Sequence, residues 1–313
     1  EEGEDGADGG KFEIAHADGR TERYDAVVLA TGSSRGGYEL ARNLGHSIVE
    51  PVPSLFTLSA SGEVGPGGTL EGLSGLSVQN ARITLKVSVP GRKKKKAVVQ
   101  EGPLLITHKG ISGPAALRLS AFAAREFHGL DYRTGVSVHW APEFGSASEI
   151  EETLWGCRST SPRRMVSSSC PLLSERDDSD GGGGKTSAIP RRLWSSLVAQ
   201  ARFGAELAWI DAPKKKVRKL ANLVADYDME VTGKGTFKEE FVTAGGISLK
   251  EIDTRTMESK KCRGLFFCGE VVDVDGVTGG FNFMGCWSTG YVAGNAAASL
   301  VRELEGVEQE VPS

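Results

Sequence analysis

Residues 264–294, GLFFCGEVVDVDGVTGGFNFMGCWSTGYVAG, decide how the rest of this chain reads. Residues 264–268 are a short apolar run closing on Gly269-Glu270, the pattern of a buried strand in a parallel sheet. An acidic turn, 270–276, follows with carboxylates at Glu270, Asp273 and Asp275. Thr278-Gly279-Gly280 then opens a segment predicted to be helical from about Met284 to Leu304. Gly290 and Gly294 sit four apart on a face expected to lie close against a strand. A strand, a carboxylate and a glycine-rich helix start together suit a polyol and an electron-rich ring. The carboxylate accepts hydrogen bonds from hydroxyls. The unpaired N–H groups of a first helical turn, with about half a positive charge, stabilise an anion. The pyrimidine edge of a reduced flavin is such an anion. The same pattern also suits a strand, loop and helix packed for stability alone, so the other segments have to choose.

Upstream, two short strands flank Asp18-Gly19, a tight-hairpin signal. Residues 26–30 (AVVLA) read as a buried strand running into Thr31-Gly32, and residues 38–44 as a helix ending at Gly45. From 51 to about 107 the pattern changes to short alternating strands at 73–78, 83–89, 97–100 and 104–107, which predicts a small β-barrel or sandwich. The lysine run ending at Lys96 reads as a solvated hairpin tip. In the turn 107–114, THKGISGP, Ser112 is placed to cap the helix that follows and Pro114 suits its first position. His108 in that turn is the one candidate proton donor, set against an ordinary structural loop histidine. Residues 128–225 read as mostly helical, with a strand at 136–140 and helices at 148–155, 191–203 and 215–226. Residues 157–187 read as a low-complexity, disordered excursion. The basic run 213–219 reads as either an import signal or the start of a surface helix whose apolar face is Val217, Leu220 and Val224. The second option is favoured because that spacing is helical. Residues 231–242 read as a hairpin turning at 233–235, and residues 243–248 as the return into the first domain.

The 313 residues suffice for two or three domains. The net charge of −4 gives no global basic field for nucleic acid, and no apolar run approaches the ~18 residues needed to span a bilayer, so neither nucleic acid nor membrane is expected as partner. Five cysteines without a CxxC pair read as reduced thiols, with no metal site and no relay dithiol. The 41 glycines, about 13%, exceed the usual 7% or so. The chain opens on Glu1 with no legible targeting signal, which reads as a fragment of a soluble cytoplasmic or organellar protein.

Four blocks stand in fixed order: YDAVVLATG (24–32) with GYELARNLGH (37–46), LLITHKGISGPAALRLS (104–120), VTAGGISLKEIDTRTMESK (242–260), and 264–298. Together they resemble the NAD(P)/FAD-dependent flavoprotein family that includes aminoacetone oxidases and 3-dehydro-bile-acid reductases. The resemblance implies an α/β fold: an FAD-binding Rossmann-like domain, incomplete at its N-terminus, interrupted by a β-barrel-like insertion and a helical insertion. Its pieces would be 1–50 and 244–313 for the FAD domain, 51–127 and 227–243 for the β-insertion, and 128–226 for the helical one. It implies FAD as cofactor, NAD(P)H as electron donor, and a small organic acceptor or oxygen. The cofactor residues it implies are Thr31, Gly32, Gly245, Gly246, Gly269, Glu270, Asp273, Thr278, Gly279, Gly280, Phe281, Asn282 and Phe283. The 110–114 turn and residues 243–246 would approach the ring from the β-insertion.

Two departures stand out. No GxGxxG occurs in the chain, and only Ser33-Ser34-Arg35-Gly36 joins the Ala-Thr-Gly turn to GYELA. The competing reading is therefore a truncated or degenerate flavoprotein fragment that retains neither FAD nor activity. Association with nucleic acid through the two lysine runs is a third and weaker reading.

Overall fold

The computed structural model describes residues 12–87, 96–175, 185–235 and 242–306. The chain divides into two units, one formed by residues 1–54 and 240–313, the other by 55–239. Each has its own buried core.

In the first unit, the hairpin Phe12–Ala15 with Thr21–Tyr24 turns at Gly19 in the left-handed region (φ +85°). The run AVVLA forms the strand Val27–Leu29, which pairs in parallel with Leu265–Phe267, Val27 opposite Leu265 and Leu29 opposite Phe267. Leu265, Phe266 and Phe267 are fully enclosed, as an unbroken apolar run demands when both faces of a strand are covered. The sheet continues through Glu258–Ser259 to Ile252–Asp253, with Val27–Leu29 at its other edge. A second pair, Ile48–Ser54 antiparallel to Val242–Ile247, carries a bulge between Ala244 and Gly246. Residues 243–246, read as the return from the insertions, lie in the first unit. Helix Arg35–Asn43 buries Gly37, Tyr38 and Ala41 and ends at Gly45, whose φ of +85° requires glycine.

The final helix runs Gly279–Leu304, five residues longer at its start than its apolar periodicity predicts. Glycines at 279, 280 and 285 obscured the signal; the side chain of Asn282, bonded to Gly276 and Thr278, anchors the first turn. Gly290 and Gly294 do not make the expected close approach: a Cβ on either meets nothing within 4 Å. The helix instead buries Ala293 and Leu300, and the glycines it touches, at ordinary van der Waals distance, lie on the strand side. A Cβ at Gly264 falls 3.6 Å from Leu300, and one at Gly269 falls 3.5 Å from Cys286 Sγ.

The second unit is built on a seven-stranded antiparallel sheet. In place of the four short strands read from sequence stand two of eleven residues, Ser77–Val87 and Lys96–Ile106, kept in register across a shift between Val78 and Ala81. The tip between them lies outside the described residues. The sheet order begins with Tyr227–Val231 and ends with Gly233–Lys234. Two strands one residue apart in the chain sit at its opposite edges, so the sheet curls round as a barrel does. Helices Ala147–Thr160, Arg191–Gln200 and Lys214–Ala225 share one core with it. Val217, Leu220 and Val224 are fully buried, so the basic run is the outer face of a packed helix. Residues 157–175 differ from the disordered expectation: they complete a helix and place Val166 and Leu172 in the core, while 176–184 lie outside the described residues. Few apolar residues suffice there because each one is enclosed. Pro114 takes the first position of helix Pro114–Phe122, but its N-cap is Gly113 at φ +90°, and Ser112 instead bonds Thr57 through its hydroxyl at 3.1 Å.

Candidate functional site

Ligands of open parallel sheets bind where strands end at their carboxyl edge. Val27–Leu29 and Leu265–Phe267 end side by side there, with Cys268 N–H donating to Leu29 O at 3.2 Å. Thr31-Gly32 and Gly269-Glu270 therefore leave the sheet from adjacent strands. Both turns bend through glycines in the left-handed region, Gly32 at +60° and Gly269 at +73°. Thr31 is braced by the next helix, since a Cβ on Gly37 would fall 1.8 Å from Thr31 Oγ1. Gly269 N–H donates to Thr289 Oγ1 at 3.0 Å, tying the turn to the final helix.

Glu270 lies in the short 3₁₀ turn Gly269–Val271 and is half-buried. Burial pushes its carboxyl above the usual carboxylate range, partly offset by the Thr243 backbone N–H that donates to it. Gly246 packs beside the same turn: its φ is +133°, and a Cβ would lie 2.6 Å from the Val271 carbonyl oxygen. Gly245, at φ +116°, lies equally tight against Glu50. Asp273 N–H donates to Ile247 O at 3.0 Å, and Ser54 Oγ donates to Asp275 at 2.9 Å. The acidic turn is thereby fixed on the strand Val242–Ile247.

Thr278 is the N-cap of the final helix, and among the described residues no side chain caps it. Asn282 turns the other way. Its amide nitrogen donates to the carbonyls of Gly276 (3.0 Å) and Thr278 (2.9 Å), and its oxygen accepts from Gly276 N–H at 2.8 Å. Asn282 thus ties the turn at Gly276 to the start of the helix. A Cβ at Gly279 meets nothing within 4 Å, and one at Gly280 only Thr278 Oγ1 at 4.0 Å. Phe281 and Phe283 are both 63% exposed, and Phe283 stacks on Trp287 at 5.9 Å between centroids.

All thirteen residues expected around a cofactor belong to the first unit; His108 belongs to the second, exposed in the turn before Gly110–Ser112. Thr243, in the segment expected near the ring, acts through its backbone N–H, which no side-chain pattern reveals. Tyr38, part of GYELA, is buried between Gly37 and Ala41 in helix Arg35–Asn43. Among the described residues no group of three or more His, Cys, Asp or Glu side chains is arranged to hold a metal, and no helix is long and apolar enough to cross a membrane.

Behind the turn, His46 is enclosed, its Nε2 2.8 Å from Ser259 Oγ and its ring edge-on to Phe267. Burial lowers its pKa, as it does for His139 in the other unit. The unfolded chain then binds more protons, so stability falls as pH drops below about 6.5, where free histidine titrates. Thermal melts from pH 7.5 to 5.5 should show that decline, and His46→Gln should flatten it.

The sequence matches the HI0933-like protein Rossmann domain over residues 4–296, which is nearly the whole chain. The chain belongs to that family. Its relatives include a ribosomal RNA dihydrouridine synthase of Haemophilus influenzae, 28% identical over 274 residues, covering 87% of this chain and 57% of that protein. A 3-dehydro-bile acid delta(4,6)-reductase of Clostridium scindens is 27% identical over 298 residues, covering 91% and 65%. A ribosomal RNA dihydrouridine synthase of Escherichia coli is 25% identical over 286 residues, covering 87% and 60%. The chain thus spans about three-fifths of the length of these relatives.

Proposed function

We propose that this chain carries the ring-and-polyol side of a flavin site in an FAD-dependent, NAD(P)H-linked oxidoreductase that reduces a carbon–carbon double bond conjugated to a carbonyl. The observation that carries the reading is the pairing of a half-buried carboxylate, Glu270, with the uncapped start of a 26-residue helix at Gly279. One group accepts from hydroxyls and the other favours an anion, which fits the two ends of a riboflavin moiety. When bound, the flavin supplies hydride transfer. Glu270 would hold the polyol, the first-turn N–H groups of 279–281 would favour negative charge at the pyrimidine edge, and Thr31-Gly32 and Gly246 would line the cleft. The bond type follows from the names of the relatives. Dihydrouridine formation and Δ4,6 reduction of a 3-oxo steroid both add two hydrogens across an alkene activated by a carbonyl.

Two relatives named for ribosomal RNA support a second reading in which the alkene is that of a uridine in RNA. Assays with NADPH and a simple cyclic enone, against the same assay with a uridine-containing RNA, separate these readings. The competing idea of a fragment that retains no cofactor is tested directly by titrating the purified chain with riboflavin and with FAD. Because the sequence holds no GxGxxG, the two should bind with similar Kd; failure of both to quench would sink the proposal. Glu270→Gln should raise the melting temperature of the ligand-free chain, since a buried carboxylate with a raised pKa is costly when ionised. The same change should weaken riboflavin binding by about tenfold, the value of one charge-assisted hydrogen bond.

A further inference from the structure

Three stretches of the second unit, 153–164, 190–204 and 212–225, carry eleven Lys and Arg side chains and no Asp or Glu. The whole chain has a net charge of −4, so positive charge is gathered there against the average. Side-chain contacts join the three stretches into one surface. Arg158 of helix Ala147–Thr160 donates to Ala212 O at 2.8 Å, which sets it beside the start of helix Lys214–Ala225. Its guanidinium lies 4.7 Å from the centre of the exposed Trp155 ring, and Lys214 Nζ lies 5.9 Å from the same ring. Lys219 Nζ donates to Gln200 O at 2.7 Å, and Lys216 Nζ lies 5.9 Å from the Phe203 ring, both at the end of helix Arg191–Gln200. Lys214, Lys215, Arg218 and Lys219 are exposed, while Val217, Leu220 and Val224 hold the opposite face in the core. Among the described residues only Arg218 of these cations pairs with a carboxylate, that of Glu151 at 3.0 Å.

Helix stability does not account for this pattern. A helix start carries about half a positive charge and favours carboxylates. Here its first three positions are lysines, and its first turn holds no acid. Crowded like charges repel one another, and a polyanion laid across them relieves that cost. We propose that the joined ends of these three helices form a docking surface for the phosphate backbone of folded RNA. Cations spread over several turns match a partner with one negative charge at every nucleotide, and each contact releases a counterion. Trp155 adds an aromatic ring against which an unpaired loop base can stack. The choice of RNA among polyanions rests on the uridine reading above; the surface itself rests on the charges and contacts just described.

Fluorescence anisotropy of a fluorescein-labelled RNA stem-loop, with a uridine in its loop, tests this on the whole chain. Wild type should bind it, and the affinity should fall steeply between about 50 and 200 mM salt. The triple variant Lys214→Gln, Lys215→Gln, Lys216→Gln should melt no lower than wild type, because glutamine suits a helix and the crowded charge is gone. Its Kd for the stem-loop should rise about a hundredfold near 0.1 M salt, and its salt slope should shrink by about three. Arg42→Gln, Lys250→Gln, Arg302→Gln removes the same charge from the first unit and should leave the Kd within about twofold. Absence of wild-type binding would overturn the proposal, as would an unchanged Kd in the first variant or equal weakening by the second. Polyglutamate binding as tightly as the stem-loop would assign the surface to acidic proteins instead and sink it too. If the stem-loop binds as expected but NADPH does not reduce its uridine, the uridine reading fails on its own and the docking surface stands.

Discussion

Replacing Gly246 with alanine is expected to destabilise the first unit by about 3 kcal/mol and to abolish riboflavin retention. Two independent costs add. The φ of +133° is open to glycine and strained for any L side chain. The new Cβ would also lie 2.6 Å from Val271 O and 3.0 Å from Asp273 N, and these are backbone atoms with no rotamer to yield. The strand or the acidic turn must therefore move, and the turn carries Glu270. Gly294→Ala is the matched control. Gly294 is an exposed, mid-helix glycine with open space around it, so the same added methyl should stabilise the chain by about 1 kcal/mol. Urea titration of both variants checks the opposite signs, and riboflavin quenching checks the loss of binding. A Gly246→Ala chain that melts and binds like wild type would remove the strand–turn contact from the argument.

The contrast between these two glycines shows what the sequence made legible. The parallel strand pair, the hairpin at Gly19, the buried face at Val217, Leu220 and Val224, and the Thr31 and Gly269 turns were readable because periodicity and turn chemistry are local. Gly290 and Gly294 were misread because spacing shows that two residues share a face, not which face is covered. The true close approaches, at Gly37, Gly245 and Gly246, depend on which elements pack, and one sequence does not encode that locally. Ser112 lost its capping role to Gly113 because a strand residue bonded to Thr57 cannot also turn back on a helix start.

Phe267→Ala and Trp194→Ala should each cost about 3–5 kcal/mol, and each should act on a different unit. Phe267 is wholly enclosed in the parallel strand, edge-on to His46 at 4.9 Å. Trp194 is wholly enclosed in helix Arg191–Gln200, its indole N–H donating to Val166 O at 2.7 Å. Truncating Phe267 opens a cavity under Gly269-Glu270, so stability and riboflavin affinity should fall together. Truncating Trp194 also leaves the Val166 carbonyl without its donor, an added penalty because that oxygen is shut away from water. The two cores share no residue, so hydrogen exchange should localise each loss to its own unit. In the Trp194→Ala chain the amides of 265–267 should keep their protection and the riboflavin Kd should hold, since every cofactor residue named above lies in the other unit. Loss of protection at 265–267 in that variant would show that the units unfold as one, and the site would then depend on the second unit for its stability.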